Sequence, residues 1–370
     1  MLNEQALARL NTLTDEFEDL TRPLQISDFN APINRDEEKS KLFASFAKQD
    51  EYNPQFQYKE APADWERPLT KFLHEIDPFD SGWEAHLYQE VRRFILELEA
   101  TRAHDPNEIT AETVYSYGIP TIELVNEAQK ILQNTKPENE NREIAASVAA
   151  DILSTALVQA GLPDWRVELK NPMNARMMVR SVEKKVFVRE DALFSRDSVK
   201  RLLVHEIGTH VFRYINGERQ QLQILKLGLI GYLGTEEGLA TYHEKRFGVQ
   251  DIAALRTYAL RVIAAHMSLT SSFYEIFDHL ASHISNLDEL FDIVTRAKRG
   301  FRDTKCVGGH VKDQVYLRGF LDVSEHLSNY PQDHAILMCG KVSLSMLGEL
   351  KELDRYQMLT LPQFLPDSLV

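Results

Sequence analysis

"SRDSVKRLLVHEIGTHVFRYING", residues 195–217, decides how this chain is read. Apolar residues at 199, 202, 203, 207 and 211 fall at helical spacing; Ser195 or Asp197 can cap the start and Gly217 can end it. The helix so defined carries His205, Glu206 and His210. A hydrolytic metal centre needs these groups: neutral imidazoles converging on one point and a carboxylate beside the water to be activated. The spacing is one residue longer than usual. An α-helix turns about 100° per residue, so ligands four apart share a face, whereas His205 and His210, five apart, stand about 140° apart. A common metal therefore predicts a locally widened helix with i to i+5 bonding, and Gly208 inside the interval lowers the steric cost of that distortion. Without the widening, these are two unrelated histidines on an amphipathic helix, and an HExxxH string alone is weak evidence.

The flanking sequence supplies context. Upstream, "WRVELK" (165–170), "ARMMVRS" (175–181) and "KKVFVRE" (184–190) read as three short strands, the last two a hairpin. Such a pair suits an enzyme that binds an extended peptide along a sheet edge. Downstream, a helix starting near Thr235 carries "TEEGLATYHE" (235–244). Glu236 and Glu237 are both available as a third ligand, the other being favourable charge at a helix N-terminus, and Gly238 and Ala240 are small enough for close helix approach. His243 and Glu244 lack a second histidine four or five residues on and read as a solvated helix face, although His243 is the nearby histidine that could close a structural site as fourth ligand. The first 140 residues are helical at 4–20 and 84–99, with an extended segment rich in Pro, Asn and aromatics between them (28–40 and 51–68). "QNTKPENENRE" (133–143) reads as a linker, followed by a helix over 142–160 and, beyond the metal helix, by further helices and a Gly-rich stretch, "RGFRDTKCVGGHVKDQVYLRG" (299–319). The expected organisation is a helical N-terminal region, 1–140, packed on a catalytic domain, 141–370.

Composition excludes several classes. No segment is apolar enough to span a membrane, and the acidic, amphipathic N-terminal stretch is unlike an export signal. Cys306 and Cys339 lack CxxC spacing, which fits a reducing cytoplasm rather than a disulfide framework. A net charge of −14 argues against nucleic acid as partner. Within it lie two basic islands, 166–219 and 296–318, each with a net +5. The first contains the histidines, so the local field favours an anionic ligand.

"HEIGTH", "EEGLA", "EYNPQFQY" and "KDQVYLRG" together resemble the QEGLA-motif family of metallohydrolases, which includes modulators of flavohaemoglobin expression and, among eukaryotes, the microtubule-associated tyrosine carboxypeptidases. The resemblance runs from about residue 25 to the end. It implies an α+β, predominantly helical, zincin-like metallopeptidase with a small sheet before the HExxxH helix, and zinc as cofactor. It further implies His205, His210 and Glu237 as ligands and Glu206 as catalytic base. In it the Gly-rich stretch lies at the cleft, giving Lys312, Tyr316 and Arg318 a role with substrate. Thr-Glu-Glu stands where the family name implies Gln-Glu, outside the implied ligand. The tubulin-directed relatives look to rely on basic extensions, whereas residues 1–40 are acidic, which weighs against tubulin as partner.

The reading that follows is a zinc carboxypeptidase acting on a peptide or protein C-terminus, with tyrosine or another aromatic residue there as the resemblance implies. A free carboxylate near the metal needs a positioned cation; Lys312 is the first nominee and Arg176 the second, with Tyr316 as donor to the developing oxyanion. The alternative is a metal-binding regulatory protein without peptidase activity.

Overall fold

Residues 3–62, 64–77, 82–136, 142–173, 175–284 and 286–369 are described in the structure, a computed structural model. Seven helices fill the N-terminal third: α1 (Glu4–Thr21), α2 (Ile26–Phe29), α3 (Arg35–Phe46), α4 (Glu66–Glu75), α5 (Trp83–Ala103), α6 (Pro106–Tyr117) and α7 (Ile122–Asn134). The segment expected to be extended is therefore partly helical, and only its later half drapes, with Phe56 N–H donating to the Arg302 carbonyl at 2.8 Å. Part of the linker candidate, 137–141, lies outside the described residues.

Strand β1 (Ile144–Ala145) opens the next part and α8 (Ala146–Gln159) follows, shorter at both ends than the sequence suggested. The alternating runs form β2 (Arg166–Lys170), β3 (Met177–Arg180) and β4 (Lys185–Arg189), in the order β2-β4-β3. The hairpin β3–β4 is antiparallel as expected, and β2 runs parallel to β4. Val186, Phe187 and Val188 are all buried, as a continuous apolar run covered on both faces requires. β5 (Leu193–Phe194) pairs with β1, a two-residue ladder too short to leave a periodic signal.

Next come α9 (Arg196–Leu202), a π-helix over Leu203–Val211 and α10 (Phe212–Glu218), consecutive in the chain. The remaining helices are α11 (Tyr232–Arg246), α12 (Ile252–Ser268), α13 (Phe273–Ala281), α14 (Leu287–Ala297), α15 (Val315–Asn329), α16 (Asp333–Leu337) and α17 (Leu347–Arg355). The chain is thus α+β and predominantly helical. No helix among the described residues is long and apolar enough to cross a membrane, and both cysteines are free.

Three large apolar clusters hold these elements. One packs α8, the three-stranded sheet and the histidine-bearing helix around Leu153, Val188 and Phe212. A second joins Leu42, Phe56 and Leu124 to α12, α13 and α14, and a third joins Leu10, Phe72 and Leu87 to Leu225, Val342 and Leu350. The last two draw on both sides of residue 140, whereas the core behind the histidine-bearing helix draws only on residues from 144 onward.

Candidate metal centre

Ser195 caps α9 reciprocally with Ser198, fixing where the helix starts. The widening predicted from the histidine spacing extends over the nine residues Leu203–Val211. Inside it, Thr209 Oγ1 donates to the Val204 carbonyl, five residues back, at 3.3 Å. Gly208 has a second role that spacing did not reveal: a Cβ there would meet Pro366 Cβ at 3.3 Å and Leu369 Cδ1 at 3.4 Å. The missing side chain lets the turn Pro366–Leu369 lie over the helix.

The widened turn brings the His205 and His210 rings to 4.9 Å between centroids, at 84° to one another. Glu237, from α11, reaches between them: its Oε2 lies 3.3 Å from His205 Nε2 and 3.6 Å from His210 Nε2. One ligand atom from each of the three residues lies within 4.8 Å of the others. Glu237 Oε2 is buried without a hydrogen-bond partner, which is costly unless a cation completes it. This donor set fits a metal ion. The approach of α11 is set on its other neighbour, since a Cβ on Gly238 would lie 2.2 Å from the Gly319 carbonyl oxygen of α15. The small residue noted in the sequence thus admits α15 rather than the histidine helix.

The far nitrogen of each imidazole is held by a carboxylate. His205 Nδ1 is 2.7 Å from Glu244 Oε1, and His210 Nδ1 is 2.9 Å from Glu236 Oε1. With Nδ1–H donating to these carboxylates, the Nε2 lone pairs face Glu237, the arrangement in which imidazole binds a cation most strongly. Glu244 is held by Arg201 Nη1 at 2.9 Å and the Tyr258 hydroxyl at 3.2 Å; Glu236 is held by the fully buried Arg213 and lies 3.7 Å from Lys341. Burial opposes the charge on Glu236, yet Arg213 and Lys341 hold its pKa well below the usual carboxylate range. Burial likewise opposes a charged His205, but Glu237 and Glu244 push its pKa up to about 10.

The pair His243–Glu244 corrects the sequence reading: neither side chain is solvated, and both are fully buried. Glu244 orients His205. His243 faces away into a separate pair, with Nδ1 2.8 Å from Thr209 Oγ1 and Nε2 2.8 Å from His334 Nε2. His243 is thus engaged by Thr209 and His334, apart from His205, His210 and Glu237.

Two cavities meet at this cluster, and a third adjoins the central one. The central one is lined by His205, Glu206, His210 and Glu237, and by Arg296, Arg299, His310, Lys312 and Tyr316, with Met173, Met177 and Met178 as apolar wall. A second shares Met177, His205, Glu206, Arg296 and Tyr316 and adds Arg176. A third shares Glu97, Tyr232 and Lys312 with the central cavity and adds Arg93 and Arg318. Glu206 and Tyr316 therefore sit where central and second cavities join, and Lys312 sits at the junction of central and third. Arg176 lies 3.8 Å from Glu289 in the second cavity. Arg318 is absent from the central lining; its Nη1 donates to the Tyr117 carbonyl at 2.7 Å, so the expected place beside the metal cleft is not where the fold puts it.

The Gly-rich stretch is anchored rather than a loose surface loop. Lys298, fully buried, donates from Nζ to the carbonyls of Ser271, Cys306 and Gly308 at 2.6, 2.8 and 2.7 Å. Sequence alone gave no role to Arg201, Arg213, Arg296, Arg299 and His310, and it placed Glu244 on a solvated face. One local signal was present: Glu237, Thr241 and Glu244, at i, i+4 and i+7, mark a polar stripe on one face of α11, opposed to Arg201 and His205 at i, i+4 on the other helix.

Comparison with known proteins places this site in context. Residues 43–370 match the family model described as microtubule-associated tyrosine carboxypeptidase. The chain belongs to that family. The human and mouse proteins named microtubule-associated tyrosine carboxypeptidase 1 are each 28% identical to this family member, over 341 and 344 residues; both alignments cover 91% of this chain and 64% of the relative. Mouse MATCAP2 is 36% identical over 173 residues, 45% of this chain and 32% of its own length. This member thus spans somewhat under two thirds of the length of its curated relatives.

Proposed function

We propose that the protein is a zincin-like, zinc-dependent carboxypeptidase. The observation that carries this reading is the convergence of His205, His210 and Glu237 beside Glu206, in a cavity also lined by Arg296, Arg299 and Lys312. The 3.3 and 3.6 Å separations between Glu237 Oε2 and the imidazole nitrogens are about those of ligands sharing a tetrahedral ion at 2.0–2.1 Å. Zinc held there would act as a Lewis acid on a substrate carbonyl and on water. Glu206 is the general base: it takes the proton of the attacking water and returns it to the leaving amine as the peptide bond breaks. Tyr316, whose hydroxyl stays protonated because burial and Glu237 raise its pKa, is the donor toward the carbonyl oxygen that gains charge. A protein set of three ligands, with His243 engaged elsewhere, supports an open catalytic position over a closed structural one.

The substrate is a peptide or protein C-terminus. The names of the relatives support tyrosine as the residue removed, and the apolar methionines and cationic wall of the central cavity suit an aromatic residue bearing a free carboxylate. β3 is an edge strand, and its Met177, Met178 and Val179 line that cavity, which suits an extended chain lying along it. The expectation against tubulin runs counter to the relatives' name, and the proposal is confined to peptide C-termini. Glu206→Gln tests the mechanism. Metal content is expected to stay at wild-type level while kcat for C-terminal release falls by about 10²–10⁴-fold; wild-type turnover by the metal-loaded variant refutes it.

A further inference from the structure

Of the cations around the two cavities that flank His205 and Glu206, one group is unbalanced. Arg261, Arg296 and Arg299 all converge on a single carboxylate, Asp313. Arg296 grips it from Nε and, at 3.1 Å, from Nη2; Arg299 donates to it from Nη2; Arg261 Nε stands 3.8 Å away. Among the described residues no other carboxylate lies within ion-pair distance of these three arginines. The side chains are 10–19% exposed for the arginines and 4% for Asp313. One negative charge against three positive ones leaves a surplus of two positive charges in a nearly buried place, which is unfavourable unless an anion joins them. Arg299 is further committed by its Nε to the Arg296 carbonyl at 2.8 Å, and Arg261 lies over the Tyr316 ring at 4.7 Å. Arg296 alone lines both cavities that flank His205 and Glu206, and its Nη1 has no hydrogen-bond partner among the described residues.

Resting on the carboxypeptidase reading, we infer that Arg296 receives the substrate's terminal carboxylate and that Asp313 is the positioning residue that aims it. The carboxylate of a C-terminal residue is within one residue, about 3.5 Å of chain, of the carbonyl being attacked, so its cation must stand close to the metal ligands. Arg296 is close enough to Glu237 for that carboxylate to favour its charge. Lys312 stands where the central and third cavities join, in the field of Glu97, which lines both, and Arg176 lies with Glu289 in the second. A guanidinium whose Nε and Nη2 are fixed by Asp313 presents its remaining edge in one orientation, which a lysine cannot do.

The test uses a matched pair of tyrosine-ended peptides, one with a free and one with an amidated C-terminus. Affinity is measured on zinc-loaded protein carrying Glu206→Gln, and kcat and KM are measured on the active enzyme. The wild-type frame is expected to prefer the acid by about 10- to 100-fold, the scale of a charged hydrogen bond. Arg296→Gln should bring the two peptides within about threefold, and Arg296→Lys should fall between. Asp313→Asn should raise KM for the acid peptide several-fold with kcat within about twofold, and Asp313→Glu should restore part of it. Lys312→Met and Arg176→Gln should keep the acid preference. If Arg296→Gln retains the full preference while Lys312→Met or Arg176→Gln loses it, the assignment is wrong and the carboxypeptidase reading stands. If the wild-type frame does not distinguish acid from amide, both fall. Metal content and melting of each variant show that the fold is intact, and Arg296→Lys and Asp313→Glu keep the charges that a folding failure in the other two would remove.

Discussion

Glu244 and Glu236 each connect an imidazole of the candidate centre to an arginine, Arg201 and the buried Arg213, so a single carboxylate serves both orientation and charge balance. Replacing Glu244 with Gln keeps the shape but removes the charge that draws the His205 proton to Nδ1. Zinc affinity, measured by competition with a chelator, is expected to fall about 10- to 100-fold. Glu236→Gln should show the same loss and, because it strands Arg213 at 0% exposure, should also lower stability by about 3 kcal/mol or more in denaturant titration. Undiminished zinc binding in both variants would show that the imidazoles need no such support. The sequence held both residues in plain view, but a Glu in a helix is usually solvated. Only the neighbours brought by folding distinguish these two.

Among the helices, the contact between α11 and α15 governs where the third candidate ligand stands. Both helices carry glycine where they meet: a Cβ on Gly238 would lie 2.2 Å from the Gly319 oxygen, and one on Gly319 would lie 1.9 Å from the Gly234 oxygen. Backbone against backbone cannot yield as a side-chain tip can. Gly238→Ala should therefore force the helices apart, cost about 1–3 kcal/mol and displace Glu237, weakening metal binding as well. Gly348→Ala, in α17 with nothing within 4 Å of its would-be Cβ, is the contrast and should stabilise by about 0.5–1 kcal/mol. Thermal melts of the two variants check the opposite signs, and equal melts would remove the glycine contact from the account. The π-helix, by contrast, was legible from sequence, because a shared metal at five-residue spacing leaves the chain one local solution. Helix–helix approach was legible only as a tendency, since a small residue does not say which neighbour will use it.

Across the whole molecule, the N-terminal helices and the Gly-rich stretch meet in a buried charged seam. Arg93 holds Glu90 and Glu97, Lys312 lies in the field of Glu97, and Glu112 stands beside them with the Ser116 hydroxyl donating to it at 2.6 Å. Burial, and then Glu97, push the Glu112 pKa up to about 7. The folded protein therefore keeps a proton that the unfolded chain loses above about pH 4.5, and global stability should fall as pH rises from there through 7. Glu112→Gln removes this dependence: it should match wild type near pH 4 and exceed it by about 2 kcal/mol at pH 8 in urea titrations. A variant whose stability tracks wild type across that range would place the proton elsewhere. The apolar clusters that cross residue 140 likewise join the N-terminal helices to later parts of the chain.

What the chain determined by itself is what depends on short spans. Periodicity located α1, α5 and the histidine helix, alternation located the three-stranded sheet, and the interval between two histidines required the widened turn; each is a matter of the backbone's own repeat. The two basic islands were likewise visible as composition. Tertiary structure decided which of two adjacent glutamates on α11 stands between the imidazoles, because residues about 100° apart on one helix are equal until a second helix fixes its rotation. It also brought Asp313 to three arginines and set Arg318 against Tyr117, away from the cleft expected of it. Charge is additive along a sequence, but its partners are chosen in space, and which cations remain for a ligand is known only once the fold has paired the rest.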